Sequence, residues 1–236
     1  SSGSERMTLD GAVNKTAIML AVLVSTAAIS WNFSSPLISL VTVIGIFAAT
    51  ISSFITFGLW IPFIGFILNP RPHLAPKTWL IFAAGEGFLI GSISLTFETM
   101  FPGIVLEAVS LTFCVAATLL FLYKSGLVKP TQNFVLMVCS AIFGIMLFYV
   151  GIFIYTLVTG TSPEIFSGSG NFSIGLSLFV VGLAALSLVL DFDIIEQSAE
   201  RGAPKYMEYF GAMALVTTLI WLYIEILRLL AKFRSR

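Results

Sequence analysis

Long apolar runs separated by short polar connections fill most of the sequence. Most of the runs approach or exceed the ~20 residues that a helix needs to cross the hydrocarbon core of a bilayer. The predicted spanning helices are Thr16–Phe33, Leu37–Leu68, Thr78–Phe97, Ile104–Tyr123, Phe134–Thr159, Phe172–Ile195 and Tyr209–Leu230. The runs do not alternate over ~10 residues as barrel strands would. The pattern therefore predicts an all-α membrane protein, a polytopic bundle of seven transmembrane helices.

The polar ends of the chain frame one predicted domain. Residues 1–15 are a polar N-terminal tail, 16–230 a single seven-helix transmembrane domain, and 231–236 a basic C-terminal tail. The second apolar run is too long for one straight span, and Pro62 and Gly65 predict a kink near its end. The opening residues do not show the order of regions that marks a cleaved signal peptide.

Composition supports a membrane protein and excludes several classes of function. The chain is 58% hydrophobic and 10% charged, whereas soluble domains carry roughly 25% charged residues. The sequence has no long basic stretch, so we expect no nucleic-acid partner. Cys114 and Cys139 lie in apolar runs and are interpreted as small hydrophobic residues. His73 is the single histidine, so a histidine-based metal site or catalytic triad cannot form, and we expect no enzyme activity and no resident cofactor.

The distribution of lysine and arginine predicts the orientation. Basic residues alternate between connections, which places the N-terminus in the cytoplasm. The basic residues on that side are Arg6, Lys15, Arg71, Lys77, Lys124, Lys129, Arg201 and Lys205. A second basic cluster, at the end of the last helix, conflicts with this rule: Arg228, Lys232, Arg234 and Arg236. Either the last helix crosses against the rule or it re-enters, and its apolar length favours crossing.

Carboxylates beside or inside the spans are the candidate functional residues. A carboxylate at the bilayer centre costs about +2.5–3.5 kcal/mol on insertion scales, so it normally lines a polar interior. Asp191 and Asp193 directly follow an apolar run. They are interpreted either as lining an ion pathway or as the solvated end of a helix. Oxygen ligands suit Ca²⁺, and carboxylates within a membrane suit a pathway for cations.

Two further acids lie within spans. Glu86 is predicted ~12 Å from the cytoplasmic side at 1.5 Å per residue, and Gly85, Gly87 and Gly91 around it permit close helix approach. Asp191 and Glu86 are the candidate Ca²⁺ contacts. Glu225 is a further pathway candidate, but it can instead pair with Arg228 three residues later on one helix face.

Several segments together resemble the Bax inhibitor-1 (transmembrane BAX inhibitor motif) family, in particular its bacterial branch. They are MTLDGAVNKT, AAGEGFLIGSIS, PGIVLEAVSLTF, YKSGLVKPT, LVLDFDIIEQSAERGAPKYMEY and WLYIEILRLLAKFRSR. The resemblance covers nearly the whole chain. It implies seven helices with the last one central, residence in a bacterial inner membrane, and a pH-sensitive Ca²⁺ leak as the activity.

The resemblance also implies a pair of gating aspartates, of which this sequence has only one. In the family, an aspartate late in the sixth helix pairs with one in the seventh, and protonation of the pair controls the pore. Asp191 matches the first aspartate, but the corresponding stretch of the last helix, Ala212–Thr218, has no carboxylate. Glu225 is expected roughly 15 Å away in depth from Asp191 on antiparallel helices, so it is a poor substitute. Asp193 points to another helix face.

The leading hypothesis is a cation leak channel with Ca²⁺ as the transported ion and the lipid bilayer as its surroundings. The alternative is a non-transporting membrane interaction protein that regulates a membrane protease or a stress- or death-pathway partner. An intramembrane enzyme is the weakest hypothesis, because an aspartyl mechanism needs two facing aspartates. Asp191 and Asp193, two residues apart on one helix, do not face each other.

Overall fold

A computed structural model describes residues 6–32, 36–57, 71–161, 163 and 168–236. Within these ranges the chain forms seven α-helices and one short 3-10 turn, Pro72–Leu74. The helices are α1 Leu9–Asn32, α2 Pro36–Phe57, α3 Ala75–Met100, α4 Ile104–Lys124, α5 Gln132–Thr159, α6 Asn171–Glu200 and α7 Tyr206–Arg234. No strand occurs in these ranges, and the all-helical prediction is confirmed.

Within the described residues, six helices are long and apolar enough to cross a membrane: α1, α3, α4, α5, α6 and α7. In the described part of α2, the apolar stretch that qualifies is shorter, Val43–Ser52. The structure therefore confirms a polytopic helical membrane protein without confirming the count of seven spans. The end of the second predicted span, with Pro62 and Gly65, lies outside the described residues.

The helices extend beyond the apolar runs that predicted them. Helix α1 begins at Leu9 rather than at Thr16, and α6 continues past Ile195 to Glu200. Helix α7 runs without interruption to Arg234. Hydropathy locates the part of a helix that fits the hydrocarbon, whereas backbone hydrogen bonding continues through the polar residues on either side.

The turn between α6 and α7 occupies only residues 201–205. Gly202 adopts the left-handed conformation, with φ +66°. The amides of Gly202 and Ala203 donate to the carbonyls of Ala199 and Ser198, each at 3.0 Å. This pair of bonds satisfies carbonyls at the end of α6 and stops the helix. Helices α6 and α7 are therefore connected by a tight turn.

The chain divides into two compact units. The first unit combines Ser1–Thr96 with Asp191–Thr217, and the second combines Phe97–Leu190 with Thr218–Arg236. In the first unit, Met7, Ala12 and Ile195 form a buried apolar cluster. In the second, Val138 and Ile145 of α5 pack with Val180 and Leu183 of α6. Half of the spanning window of α6 and of α7 is buried, more than in the other four spanning helices.

Glycines on α3 allow the helices of the first unit to approach closely. A Cβ atom on Gly85 would collide with the Gly45 carbonyl and Ala49 of α2. A Cβ atom on Gly87 would collide with Thr26 and with the backbone carbonyl of Leu23 in α1. The close approach expected around Glu86 is therefore confirmed, and α3 contacts α1 and α2 almost backbone to backbone.

Candidate functional site

Asp191 lines a small cavity between the end of α6 and the start of α7 in the first unit. The cavity has a volume of about 60 Å³, enough for water. Its lining residues are Met7, Asp191, Ile194, Ile195, Ser198, Met207, Phe210, Gly211 and Ala214. Apart from Asp191 and Ser198, this lining is apolar in its side chains. A carboxylate in such surroundings forfeits hydration that only specific polar contacts or a cation can replace.

The wall that α7 contributes to this cavity carries no carboxylate. It consists of Met207, Phe210, Gly211 and Ala214, and Ala214 belongs to the stretch predicted to lack the second family aspartate. Gly211 brings α7 against α6, since a Cβ atom there would lie 2.9 Å from Cγ1 of Ile195. Among the described residues, Asp191 is thus the only acid lining the cavity, and a proton shared with an aspartate on α7 is not available.

Asp193 has different surroundings from Asp191 although the two are close in sequence. Its carboxylate accepts a hydrogen bond of 2.6 Å from the side-chain amide of Gln197. The amide oxygen of Gln197 in turn accepts a bond of 2.8 Å from the guanidinium of Arg201. These contacts run along α6 at intervals of four residues, the spacing of neighbours on one helix face. Asp193 does not line the Asp191 cavity, which agrees with its predicted position on another face of the helix.

Glu86 lies within α3, between the two glycines that contact the neighbouring helices. Gly85 is buried against α2 and Gly87 against α1, while Glu86 itself is partly buried. Within the described part of the chain, the Glu86 carboxylate makes no hydrogen bond or ion pair. It is therefore an acid inside a spanning helix without a neutralising partner in that part of the chain, the situation in which intramembrane acids are functional candidates.

Glu225 belongs to the second unit and is engaged in a polar cluster. Its side chain is 2% exposed and accepts a 3.0 Å bond from the Tyr149 hydroxyl. The guanidinium of Arg228 approaches both carboxylate oxygens at 3.2 Å, which confirms the pairing predicted from their spacing. Arg228 also lies over the Tyr149 ring, 5.8 Å from its centroid. The cluster joins α5 to α7 and gives Glu225 a structural partner.

The other basic residues at the end of α7 also bind acceptors in the second unit. Lys232 is buried and donates to Ser173 and Ser177 of α6. Arg234 donates to the carbonyls of Phe101 and Pro102 and pairs with Glu107 at 2.7 Å. Arg236 bonds Asn171 at the start of α6. Together with Arg228, all four basic residues near the end of α7 therefore contact acceptors in the second unit.

Sequence reasoning missed Glu208, at the start of α7. Glu208 is 2% exposed and accepts bonds from the Thr8 amide at 2.9 Å and from the Thr8 hydroxyl at 3.1 Å. Lys15 lies 3.9 Å from its carboxylate and stacks over Tyr209, 5.0 Å from the ring centroid. Gly11 faces the Glu208 carboxylate so closely that a Cβ atom would collide with it. This acid fastens the residues before α1 to α7.

The acids of the first unit do not combine into a preformed metal site. Across the described residues, no three histidine, cysteine, aspartate or glutamate side chains lie together as a metal site would need. Asp191, Asp193 and Glu86 each have separate surroundings. A cation passing them would meet single carboxylates supplemented by water or backbone oxygen, an arrangement suited to weak and transient contact rather than to storage.

Comparison with known families agrees with the segments that carried the resemblance. A family model described as "Bax inhibitor 1 like" matches residues 1–235. No curated protein matches the chain. The match covers the helix that carries Glu86, the helix that carries Asp191 and the whole of α7. With spanning helices and a match of this extent, the chain belongs to the Bax inhibitor 1 like family of integral membrane proteins.

Proposed function

We propose that this protein is a cation leak channel, with Ca²⁺ as the transported ion and Asp191 and Glu86 as the carboxylates that contact it. The family match and the spanning helices support a membrane function. Ca²⁺ is the ion that the family resemblance suggests, and carboxylate oxygens are the ligands it prefers. We place the protein in a bacterial inner membrane because the family resemblance suggests it, and we place its N-terminus in the cytoplasm because of the lysine and arginine distribution.

The observation that carries this proposal is the Asp191 carboxylate on the wall of a cavity between two spanning helices that is otherwise lined by apolar residues and Ser198. A carboxylate in that position costs free energy because it loses hydration, and proteins retain such acids where ions or protons pass. Glu86 adds a second acid within a span of the same unit. Asp193 and Glu225 contribute less to the proposed pathway, because other side chains bind their carboxylates. Gln197 donates a hydrogen bond to Asp193, and Tyr149 and Arg228 bind Glu225.

The pH response of the leak should differ from that of a paired gate. The family mechanism needs two aspartates that compete for one proton, and α7 lines the Asp191 cavity with Met207, Phe210, Gly211 and Ala214, none of which is an acid. We propose that Asp191 acts alone here. Any change of flux with pH then reports the titration of single carboxylates rather than a shared proton.

Neutralising Glu86 should reduce the leak. We expect purified protein in dye-loaded liposomes to admit Ca²⁺ faster than protein-free liposomes, and Glu86→Gln to slow entry roughly tenfold. About 1.4 kcal/mol of lost attraction corresponds to that factor. The measurement is the initial rate of dye fluorescence between about pH 5 and pH 8.

Glu200→Gln is the matched control, because it removes the same charge from an exposed position at the end of α6 and should leave the rate unchanged. If folded wild-type protein admits no Ca²⁺ at any pH, the channel proposal is wrong. That result would favour the non-transporting interaction protein.

A further inference from the structure

The residues just before α1 cover the cavity that contains Asp191. Met7 is 4% exposed, lines the cavity and packs in the same apolar cluster as Ile195. It reaches this position from outside the helix pair, since α1 begins only at Leu9. Arg6–Thr8, named here the cover segment, therefore forms one wall of a cavity otherwise lined by α6 and α7.

A few hydrogen bonds fasten the cover segment. The Met7 amide donates to the Ala203 carbonyl at 2.7 Å, and Arg6 and Pro204 form an isolated antiparallel bridge. Thr8 donates twice to the buried Glu208 carboxylate, from its amide and its hydroxyl. All of these bonds join the segment to the α6–α7 turn or to the first turn of α7. Glu208 is the only side chain among these acceptors.

The remaining walls are harder to move. Helices α6 and α7 are joined by a turn of five residues, 201–205, and pack closely where Gly211 meets Ile195. Parting them would break helix packing along their contact. Lifting the cover segment breaks only the bonds named above and withdraws one apolar side chain. Local openings follow the route that breaks the fewest contacts, and the cover segment offers that route.

We propose that the cover segment Arg6–Thr8 is a lid over the Asp191 cavity and that Glu208 is the positioning residue that holds this lid closed. With the lid in place, Met7 lies between Asp191 and the solvent around the α6–α7 turn. With the lid lifted, water and cations reach the carboxylate from that side. The inference rests on the proposed function for its physiological meaning, but the closure itself can be measured without any ion flux.

The test measures access to a cysteine placed in the cavity. Ser198, which lines the cavity, is replaced by cysteine in a background where Cys114 and Cys139 are alanine. The rate of modification by a membrane-impermeant charged thiosulfonate is then followed in nanodiscs. Glu208→Ala removes the acceptor of both Thr8 bonds, and we expect it to raise the labelling rate on the order of tenfold.

Three variants control for unfolding. Glu208→Gln retains an acceptor oxygen and should label close to the parent rate. Thr8→Ala removes the hydroxyl bond to Glu208 and also the bond that the Gly11 amide donates to this hydroxyl. It should raise labelling in the same direction by a smaller factor, even if Glu208→Ala fails to fold. Ser125→Cys, exposed in the turn after α4, should label equally with and without Glu208→Ala.

Ca²⁺ entry into liposomes is measured on the same variants. Faster labelling together with faster entry in Glu208→Ala supports the lid as a regulator of the leak. Faster labelling with no Ca²⁺ entry in any variant supports the lid while overturning the proposed function. Labelling of Ser198→Cys that Glu208→Ala and Thr8→Ala both leave unchanged overturns the lid, whatever the flux.

Discussion

Gly87→Leu should prevent α3 from packing against α1 and should leave little correctly folded protein. The position that a Cβ atom would take on Gly87 is already occupied by Thr26 and by the backbone carbonyl of Leu23. A flexible side chain can rotate away, but the carbonyl is fixed by the hydrogen bonding of α1, so the helices must separate. We expect a loss of about 3 kcal/mol or more in the free energy of unfolding.

The measurement is the recovery of monodisperse protein in detergent and its thermal unfolding midpoint. Gly144→Leu is the matched control, since Gly144 lies in a helix with no atom within 4 Å of the Cβ position. That substitution should leave stability unchanged or raise it by the helix-propensity difference of about 0.5–1 kcal/mol. Equal behaviour of the two leucine variants would contradict the close approach of α3 to α1.

Arg228→Met should destabilise the second unit by on the order of 3 kcal/mol. It removes the cation from a carboxylate that is 2% exposed and leaves Glu225 with the Tyr149 hydroxyl. Breaking a buried ion pair on one side costs about 3–5 kcal/mol. We expect the lower end because the Arg228 side chain is 26% exposed. The thermal midpoint in detergent measures the effect.

The double variant Glu225→Gln with Arg228→Met separates charge from packing. If the loss comes from an uncompensated buried carboxylate, the double variant should recover much of the stability lost by Arg228→Met alone. A double variant that is as unstable as the single one would show instead that the arginine stem acts by packing.

The parts of the fold that sequence predicts best are those set by local physics. The apolar runs locate the spanning helices because each must fit the hydrocarbon. Gly202 stops α6 through a turn formed by its immediate neighbours. The pairing of Glu225 with Arg228 follows from their spacing of three residues. In each case, the residues that decide the structure lie within a few positions of one another.

The contacts that sequence does not predict join distant parts of the chain. Glu208 looks like an ordinary acid in the first turn of a helix, and its partner Thr8 lies 200 residues away. Lys232 looks like a solvated tail residue, yet it is buried against Ser173 and Ser177. No periodicity in the sequence reports such pairings. The sequence predicts Asp191 as a candidate residue. The cavity around it and the position of Met7 over that cavity are visible only in the folded chain.

Asp191 is the residue on which the proposed cation pathway depends most. The most direct test is the initial rate of Ca²⁺ entry into dye-loaded liposomes with Asp191→Asn, which removes the charge and conserves the shape of the side chain. Glu200→Gln serves as the control of equal charge change. We expect Asp191→Asn to reduce entry to the rate of protein-free liposomes, and we expect Glu200→Gln to match the wild type. Folded Asp191→Asn protein that admits Ca²⁺ at the wild-type rate would contradict the proposed pathway.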